Sequence, residues 1–439
     1  LEEISKLPSS VASVVTAISG FVGYTERGTK NTAIRVESLI DFEEKFGYAC
    51  KIAISEEDKI NGLEYKLHES MRLFYANGGG TCYVVSVGNY KDAISNTALE
   101  TGISMLEPID EVTMIVVPDA VSLEIDKLAS VQNAALAQCL ELKDRVAILD
   151  VKDTGNCNTD ATNFRNSIGT KGASYGAAYY PYIKSVYDRE INVYDIYKGL
   201  ELSNQELENA QYYADLSEPT EESTLFAKQL MSKPEYAELV AKIQEQANLL
   251  PPSGAIAGIY CANDNQRGVW HAPANMSVSG ISDINVRISD KQQGDLNEDT
   301  SGKCINAIRA FQGKGILVWG ARTLDGLSSE WKYISVRRFF NYVEESIQES
   351  TAWAVFQPND ANTWVKVRCQ IENFLSNLWR DGALAGSTPQ EAFYVRVGIN
   401  QTMTAQDILN GYMIVEIGMA AVRPAEFIVL QFSHKLQES

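Results

Sequence analysis

An α/β architecture followed by an α+β region, in more than one domain, is predicted by the order of apolar and amphipathic segments along these 439 residues. Three observations carry the prediction. Between residues 108 and 182 short apolar runs flank a long helical period, the spacing of βαβ units around a parallel sheet. From about Lys184 to Asn248 the chain turns polar, acidic and helix-prone, which reads as a surface excursion from that α/β layer. Beyond residue 330 two amphipathic helices precede a terminal apolar run, the pattern of a separate α+β region.

Taken in order, Ser13–Gly23 reads as a buried strand and Leu39–Phe46 as a short helix after a Ser/Asp turn. Leu63–Ala76 has helical periodicity and stops at Asn77-Gly78-Gly79-Gly80, glycines that suit a helix C-terminus. Cys82–Val87 follows as an apolar strand. That glycine run precedes a strand, whereas phosphate loops precede a helix and carry Lys-Ser/Thr, so it reads as structural. Val112–Val117, Val146–Leu149 and Gly176–Tyr182 are the strands of the α/β layer, with a helix from about Val121 to Leu142. Asp119 and Asp150 follow two of these strands. Helix or loop capping is the reading for both, with a ligand site at the strand ends as the alternative. In the polar excursion Glu221–Asn248 is the clearest helix, bracketed by Tyr180-Pro181-Tyr182 and Pro251-Pro252. Val336–Ile347 places Val336, Phe339, Phe340, Val343 and Ile347 on one face, leaving Arg337, Arg338, Asn341, Glu344 and Glu345 able to lie outside it. Trp364–Trp379 buries Val367, Ile371, Phe374, Leu375 and Leu378 and ends at Arg380-Asp381-Gly382. Glu426–Phe432 (EFIVLQF) is a strand covered on both faces, preceded by Arg423-Pro424, which blocks helix.

Composition narrows the function. Hydrophobic content of 45% and charged content of 22% are ordinary for a folded chain. No run approaches a bilayer-spanning length and no signal peptide is visible. The net charge of −19 argues against nucleic acid as a partner, because neutralising phosphates needs a basic surface. The charge is uneven. From Trp331 onward 9 Lys and Arg face 11 Asp and Glu, against 29 and 46 before it. A near-neutral tail suits a region that packs against other protein. Seven scattered cysteines without a CxxC pair read as reduced thiols in a cytosolic product, a zinc site being the alternative. No metal-binding motif appears, and Gly313-Lys314-Gly315 is not an ATP-binding loop. His68, His271 and His434 are the only histidines, and none has a nucleophile elbow near it. No cofactor and no catalytic residue is expected.

Six motifs resemble one family in order: Arg267–Asn275 (RGVWHAPAN), Ala307–Leu324, Trp331–Glu345 (WKYISVRRFFNYVEE), Phe356–Asp360 (FQPND), Asn373–Gly386 and Val422–Leu430. Together they resemble contractile tail sheath proteins, the outer sheath of phage tails, R-type pyocins and extracellular contractile injection systems. The opening LEEI is similar to the end of a segment near the start of such proteins, so an upstream arm is expected before Leu1. The resemblance implies three regions. They are an N-terminal region (1–107), a subtilisin-like α/β domain (108–329) with an insertion at about 184–248, and a C-terminal sheath domain (330–439) facing an inner tube.

The resemblance also implies what such a chain does. It forms a six-fold helical homopolymer, possibly with paralogous sheath subunits, around an inner tube protein and between baseplate and terminal cap proteins. It is assembled in the bacterial cytoplasm and contracts from a metastable extended state, with no nucleic acid and no direct membrane insertion. Terminal arms add strands to neighbouring subunits. Glu426, Phe427, Ile428, Val429, Leu430, Gln431 and Phe432 are the candidates, an ordinary in-domain strand being the alternative. A C-terminal-domain helix holds the tube through charge. Arg337, Arg338, Lys366 and Arg380 are candidates, with solvation or core-anchoring salt bridges as the alternative for each. A non-contractile shell protein and a hydrolase on the α/β domain are the competing functions.

Overall fold

The computed structural model describes residues 11–54, 60–189, 191, 193, 200–214, 216 and 220–426. Tertiary contacts divide the chain into a larger unit, Ser13–Val269 with Pro273–Glu345, and a smaller one, Leu1–Ala12, Trp270–Ala272 and Ser346–Ser439.

The larger unit is built on one nine-stranded sheet. Its strands are β1 (Ser19–Thr25), β2 (Ala33–Val36), β5 (Cys82–Asn89), β6 (Met114–Val116), β7 (Val146–Asp150), β8 (Gly176–Tyr180), β11 (Met276–Ser277), β13 (Ile305–Phe311) and β14 (Gly315–Trp319). Their order is β11-β14-β13-β8-β7-β6-β1-β5-β2. The central run from β13 to β5 is parallel throughout. Antiparallel β2 closes one side and β14 with β11 the other. The expected βαβ units are therefore present. Strands from residues 1–107 pair with those of the α/β region, so the boundary expected at residue 107 runs through a single layer. A small hairpin, β3 (Ala53–Ile54) with β4 (Ile60–Asn61), stands apart from this sheet.

Parallel strands are buried on both faces, and the helices supply the cover. Helices α1 (Leu39–Phe46), α2 (Leu67–Ala76), α3 (Asn96–Ser104), α4 (Ile125–Leu142) and α5 (Cys157–Ser167) precede the polar excursion. One contiguous core joins Val22, Val87, Ile103, Val131, Leu136, Leu149 and Ile305 across sheet and helices. The first strand begins only at Ser19; just before it Ile18 N donates to Thr113 Oγ1 at 3.0 Å instead of to a backbone carbonyl, while its own carbonyl accepts from Thr113 N and Met114 N.

Leaving β9 (Ile183–Ser185), the chain makes α6 (Asn204–Ala214), α7 (Glu221–Met231) and α8 (Pro234–Ala247) before β10 (Leu249–Leu250). Strands β9 and β10 pair antiparallel, Lys184 opposite Leu249, so the two ends of the excursion meet. The single helix read over 221–248 is two, broken before Pro234, which occupies the first turn of α8 where its missing N–H costs nothing. Beyond it come α9 (Ser253–Arg267), β12 (Ile281–Ile284), α10 (Asp290–Asn297) and α11 (Ile334–Thr351). Gly254 and Gly258 let α9 lie close against α2; a methyl group at Gly258 would sit 2.3 Å from the Phe74 carbonyl oxygen.

The smaller unit contains α12 (Ala361–Arg380), α13 (Pro389–Ala392), β15 (Phe393–Val397), α14 (Ala405–Leu409) and β16 (Val415–Met419). Here β15 and β16 form a two-stranded antiparallel sheet, Val395 opposite Ile417.

Candidate assembly surfaces

Arg337 and Arg338 do not lie on a surface. They are 5% and 4% exposed, and α11 is buried around much of its circumference rather than on one apolar face. The Arg338 guanidinium makes a bidentate pair with Asp264, at 2.9 Å and 2.6 Å, and also donates to the Thr16 carbonyl at 2.9 Å. It stacks 4.7 Å from the centre of the Tyr260 ring, whose hydroxyl meets that of Tyr179 at 2.7 Å. Arg337 lies between two rings, 3.9 Å from the centre of Trp331 and 4.7 Å from that of Tyr175. Its Nε donates to Asn341 Oδ1 at 2.9 Å, and Asn341 is itself buried. Both arginines take the core-anchoring alternative, because their donors are spent inside the larger unit. A helical wheel shows which positions are charged but not which other elements surround the helix.

Lys366 and Arg380 are exposed, on the face of α12 opposite Val367, Ile371, Phe374, Leu375 and Leu378. Fourteen residues apart, they share that face at a separation of about 21 Å along the axis. Asn362, Val365, Asn373 and Asn377 are exposed between and beside them, with the carboxylates of Glu372, paired to Arg368, and of exposed Asp381 at the margins of the stripe. The helix starts on Asp360, whose carboxylate accepts the Thr363 N–H at 3.0 Å.

The third surface is the edge of the β15–β16 sheet. Two strands are marginal by themselves, and no other described strand pairs with either along its length. Unpaired edges present rows of free N–H and C=O groups, a template for a further strand. Past β16 the chain makes single contacts, Ala385 N to Ala420 O and Val422 N to Ala383 O, and continues to Glu426. Of the seven strand candidates only Glu426 is described; Phe427, Ile428, Val429, Leu430, Gln431 and Phe432 lie outside the described residues.

The acids at the strand ends are caps. Asp119 is fully buried and accepts the Tyr24 N–H at 2.7 Å and the Lys66 N–H at 2.5 Å, at the start of α2. Asp150 accepts the backbone N–H and the hydroxyl of Ser253, at 2.9 and 2.5 Å, at the start of α9. Burial pushes both carboxyls up to about 7, against the pull of these donors. Their oxygens are engaged, which leaves nothing aimed at a ligand. His68 Nε2 meets Glu43 Oε1 at 3.1 Å, and His434 lies outside the described residues. Among the described residues no three His, Cys, Asp or Glu side chains gather as a metal site, and no helix is long and apolar enough to cross a membrane.

Comparison with known proteins places the fold in a family. A family described as phage tail sheath protein central domain matches residues 92–324, and one described as phage tail sheath C-terminal domain matches 328–435. The tail sheath protein of Vibrio phage KVP40 is 23% identical over 44% of this chain, and a putative prophage major tail sheath protein of Pseudomonas aeruginosa 24% identical over 41%. The chain spans only 27% and 45% of those two relatives. Among solved structures, the contracted PVC sheath of an extracellular contractile injection system is 30% identical, with a TM-score of 0.71 over 99% of this chain and 96% of that one. The contracted helical sheath of the anti-feeding prophage is 29% identical, with a TM-score of 0.69 over 99% and 98%. A family match over more than half of its length, with whole-chain similarity to solved sheath structures, means that the chain belongs to the phage tail sheath family.

Proposed function

We propose that this chain is the repeating subunit of a contractile sheath, assembled in the bacterial cytoplasm around an inner tube and between baseplate and terminal cap. It polymerises as a six-fold helix in a metastable extended state and contracts to drive the tube through a target envelope. The observation that carries the reading is the two-stranded sheet with unpaired edges, in a chain that follows a contracted sheath over nearly its whole length. Glu426 to Phe432 of one copy extends that sheet in the next, linking subunits through backbone hydrogen bonds that survive rearrangement. The larger unit is the subtilisin-like domain and acts as a rigid body. Lys366 and Arg380 hold the tube in the extended state, where two exposed cations on one helix face suit an acidic partner. Similarity over nearly the full chain to the sheath of an extracellular contractile injection system favours an extracellular injection particle over a phage tail.

No chemistry is needed at the subunit, since folding and assembly energy stored in the polymer does the work. Negative-stain microscopy of the purified assembly tests this. Long narrow tubes and short wide ones are expected from the same protein. Tubes of one diameter under all conditions make it a non-contractile shell instead.

A further inference from the structure

The nine-stranded sheet has two ends, and they are closed differently. At one end β11 is two residues long, too short to template a further strand. At the other, β2 pairs only with β5 among the described residues, so its outer side faces away from the ladder. In an antiparallel pair alternate residues turn both their N–H and their C=O outward. Two of the outward groups here are the Arg35 carbonyl and, two residues on, the Glu37 N–H. Side chains of α1 take up both. Lys45 Nζ donates to the Arg35 carbonyl at 2.8 Å, and Asp41 Oδ2 accepts the Glu37 N–H at 3.0 Å.

Asp41 and Lys45 stand one turn apart on α1, which begins just after β2. They hold each other, Lys45 Nζ lying 2.7 Å from Asp41 Oδ1 and 2.8 Å from Asp41 Oδ2. Ser38 Oγ fixes the start of the helix by accepting the Asp41 N–H at 3.1 Å. A donor at Arg35 and an acceptor at Glu37 are what the next strand of an antiparallel sheet would supply. The pair therefore imitates a strand while offering no edge of its own. Such a pair adds little to an exposed helix, so its place on the strand edge is the informative feature.

We propose that Asp41 and Lys45 guard the free edge of the nine-stranded sheet, holding shut a surface through which β2 of one copy would otherwise pair antiparallel with β2 of a second. Two such edges related by a two-fold axis are self-complementary, since each offers the groups that the other lacks. Their side chains agree. Arg35 and Glu37 are 54% and 68% exposed and carry opposite charges, and an antiparallel register centred between them sets Arg35 of one copy opposite Glu37 of the other. A chain that joins its copies elsewhere must keep this edge closed. The guard belongs to the larger unit, and the candidate contacts described above belong to the smaller one.

The test is sedimentation velocity of the full chain with Asp41→Ala and Lys45→Ala together, below the concentration at which the natural chain forms tubes. The natural chain should run as single subunits and the variant as a dimer. Self-association should tighten by about tenfold or more, as a pair of backbone hydrogen bonds gained implies. Hydrogen exchange at residues 33–37 should be slower in the dimer than in the variant's own single subunits. Adding Glu37→Pro, which deletes the outward N–H on an edge where proline is tolerated, should return the variant to single subunits. Lys45→Arg alone keeps a donor and should stay single. A double variant that stays single overturns the inference. So does association that survives Glu37→Pro, which would make lost surface charge its cause. A fall in Tm of more than about 5 °C in the double variant overturns it too, by making the pair a structural brace.

Discussion

Asp150 sits where a parallel strand ends, and its carboxylate is spent on Ser253 at the start of α9. Burial is the larger influence and raises it to about 7, from 3.8 when free. Between about pH 4 and pH 7 the folded chain then keeps a proton that the unfolded chain has lost, so stability falls as pH rises through that window. Acidification from pH 8 to pH 5.5 should stabilise the protein. Asp150→Asn mimics the protonated acid and should flatten that dependence by on the order of 2 kcal/mol. Denaturant melts at both pH values read it, and an unchanged slope in the variant would refute the shift. Arg338 makes a different demand. Its partner Asp264 is buried, so Arg338→Gln leaves a lone carboxylate inside the larger unit and should cost about 3–5 kcal/mol. A variant as stable as the natural chain, but failing to bind an inner tube, would return Arg338 to the surface. Sequence made the acids legible, because capping is the common fate of an Asp at a strand end. It did not make the arginines so, because their partners Asp264, Tyr260 and Tyr175 come from remote segments that only the fold brings round α11.

At the scale of elements, strong local signals located structure well. The helix at Leu39–Phe46 and the strands at Cys82, Val146 and Gly176 lie where apolar runs and glycines place them. The misses are physical too. Ser13–Ile18 has a strand's composition, but Thr16 and Ile18 bond to the Thr113 hydroxyl and only the Ile18 carbonyl meets backbone, at Thr113 and Met114, and Pro234 ends one helix by starting another. The polar excursion shows what composition hides. Its neck is a pair of strands, and α6 and α7 share a small core of their own through Val193, Leu200, Ala210, Phe226 and Leu230. Helix α8 instead buries Ile243 and Ala247 against Ile52 and Ile54 of the β3–β4 hairpin, and Arg189 pairs with buried Glu69 of α2 at 2.8 Å. Replacing Leu202–Glu245 with a short Gly/Ser linker across the neck should therefore leave the nine-stranded sheet and tube assembly intact. It should also uncover Ile52 and Ile54, costing on the order of 2–4 kcal/mol. Calorimetry and microscopy of that variant decide the point. A folded variant that makes no tubes would place the excursion in a contact between copies.

At the scale of the whole molecule, the proposed function assigns two separate tasks to the two candidate contacts. Copies must stay joined while they rearrange, and they must release the tube as they do so. Backbone pairing suits the first, since added strands keep their hydrogen bonds while the units they join turn. Charge suits the second, since a contact through Lys366 and Arg380 is exposed, screened and individually weak, of about 1 kcal/mol or less per pair. Many weak contacts summed along a tube can hold an extended state that differs from the contracted one by about a few kcal/mol per subunit. The two tasks should therefore fail separately. Removing Glu426–Ser439 should leave soluble protein that forms neither extended nor contracted tubes. Reversing both charges, Lys366→Glu with Arg380→Glu, should leave contracted tubes in normal yield while extended sheath no longer sediments with the inner tube protein at physiological salt. Raising the salt should weaken the natural extended complex in the same direction and leave contracted tubes standing. Normal tubes from the truncated chain would reject strand donation by the terminus. Loss of contracted tubes in the charge-reversed chain would make Lys366 and Arg380 contacts between copies, and the hold on the tube would then have to come from another face of the smaller unit.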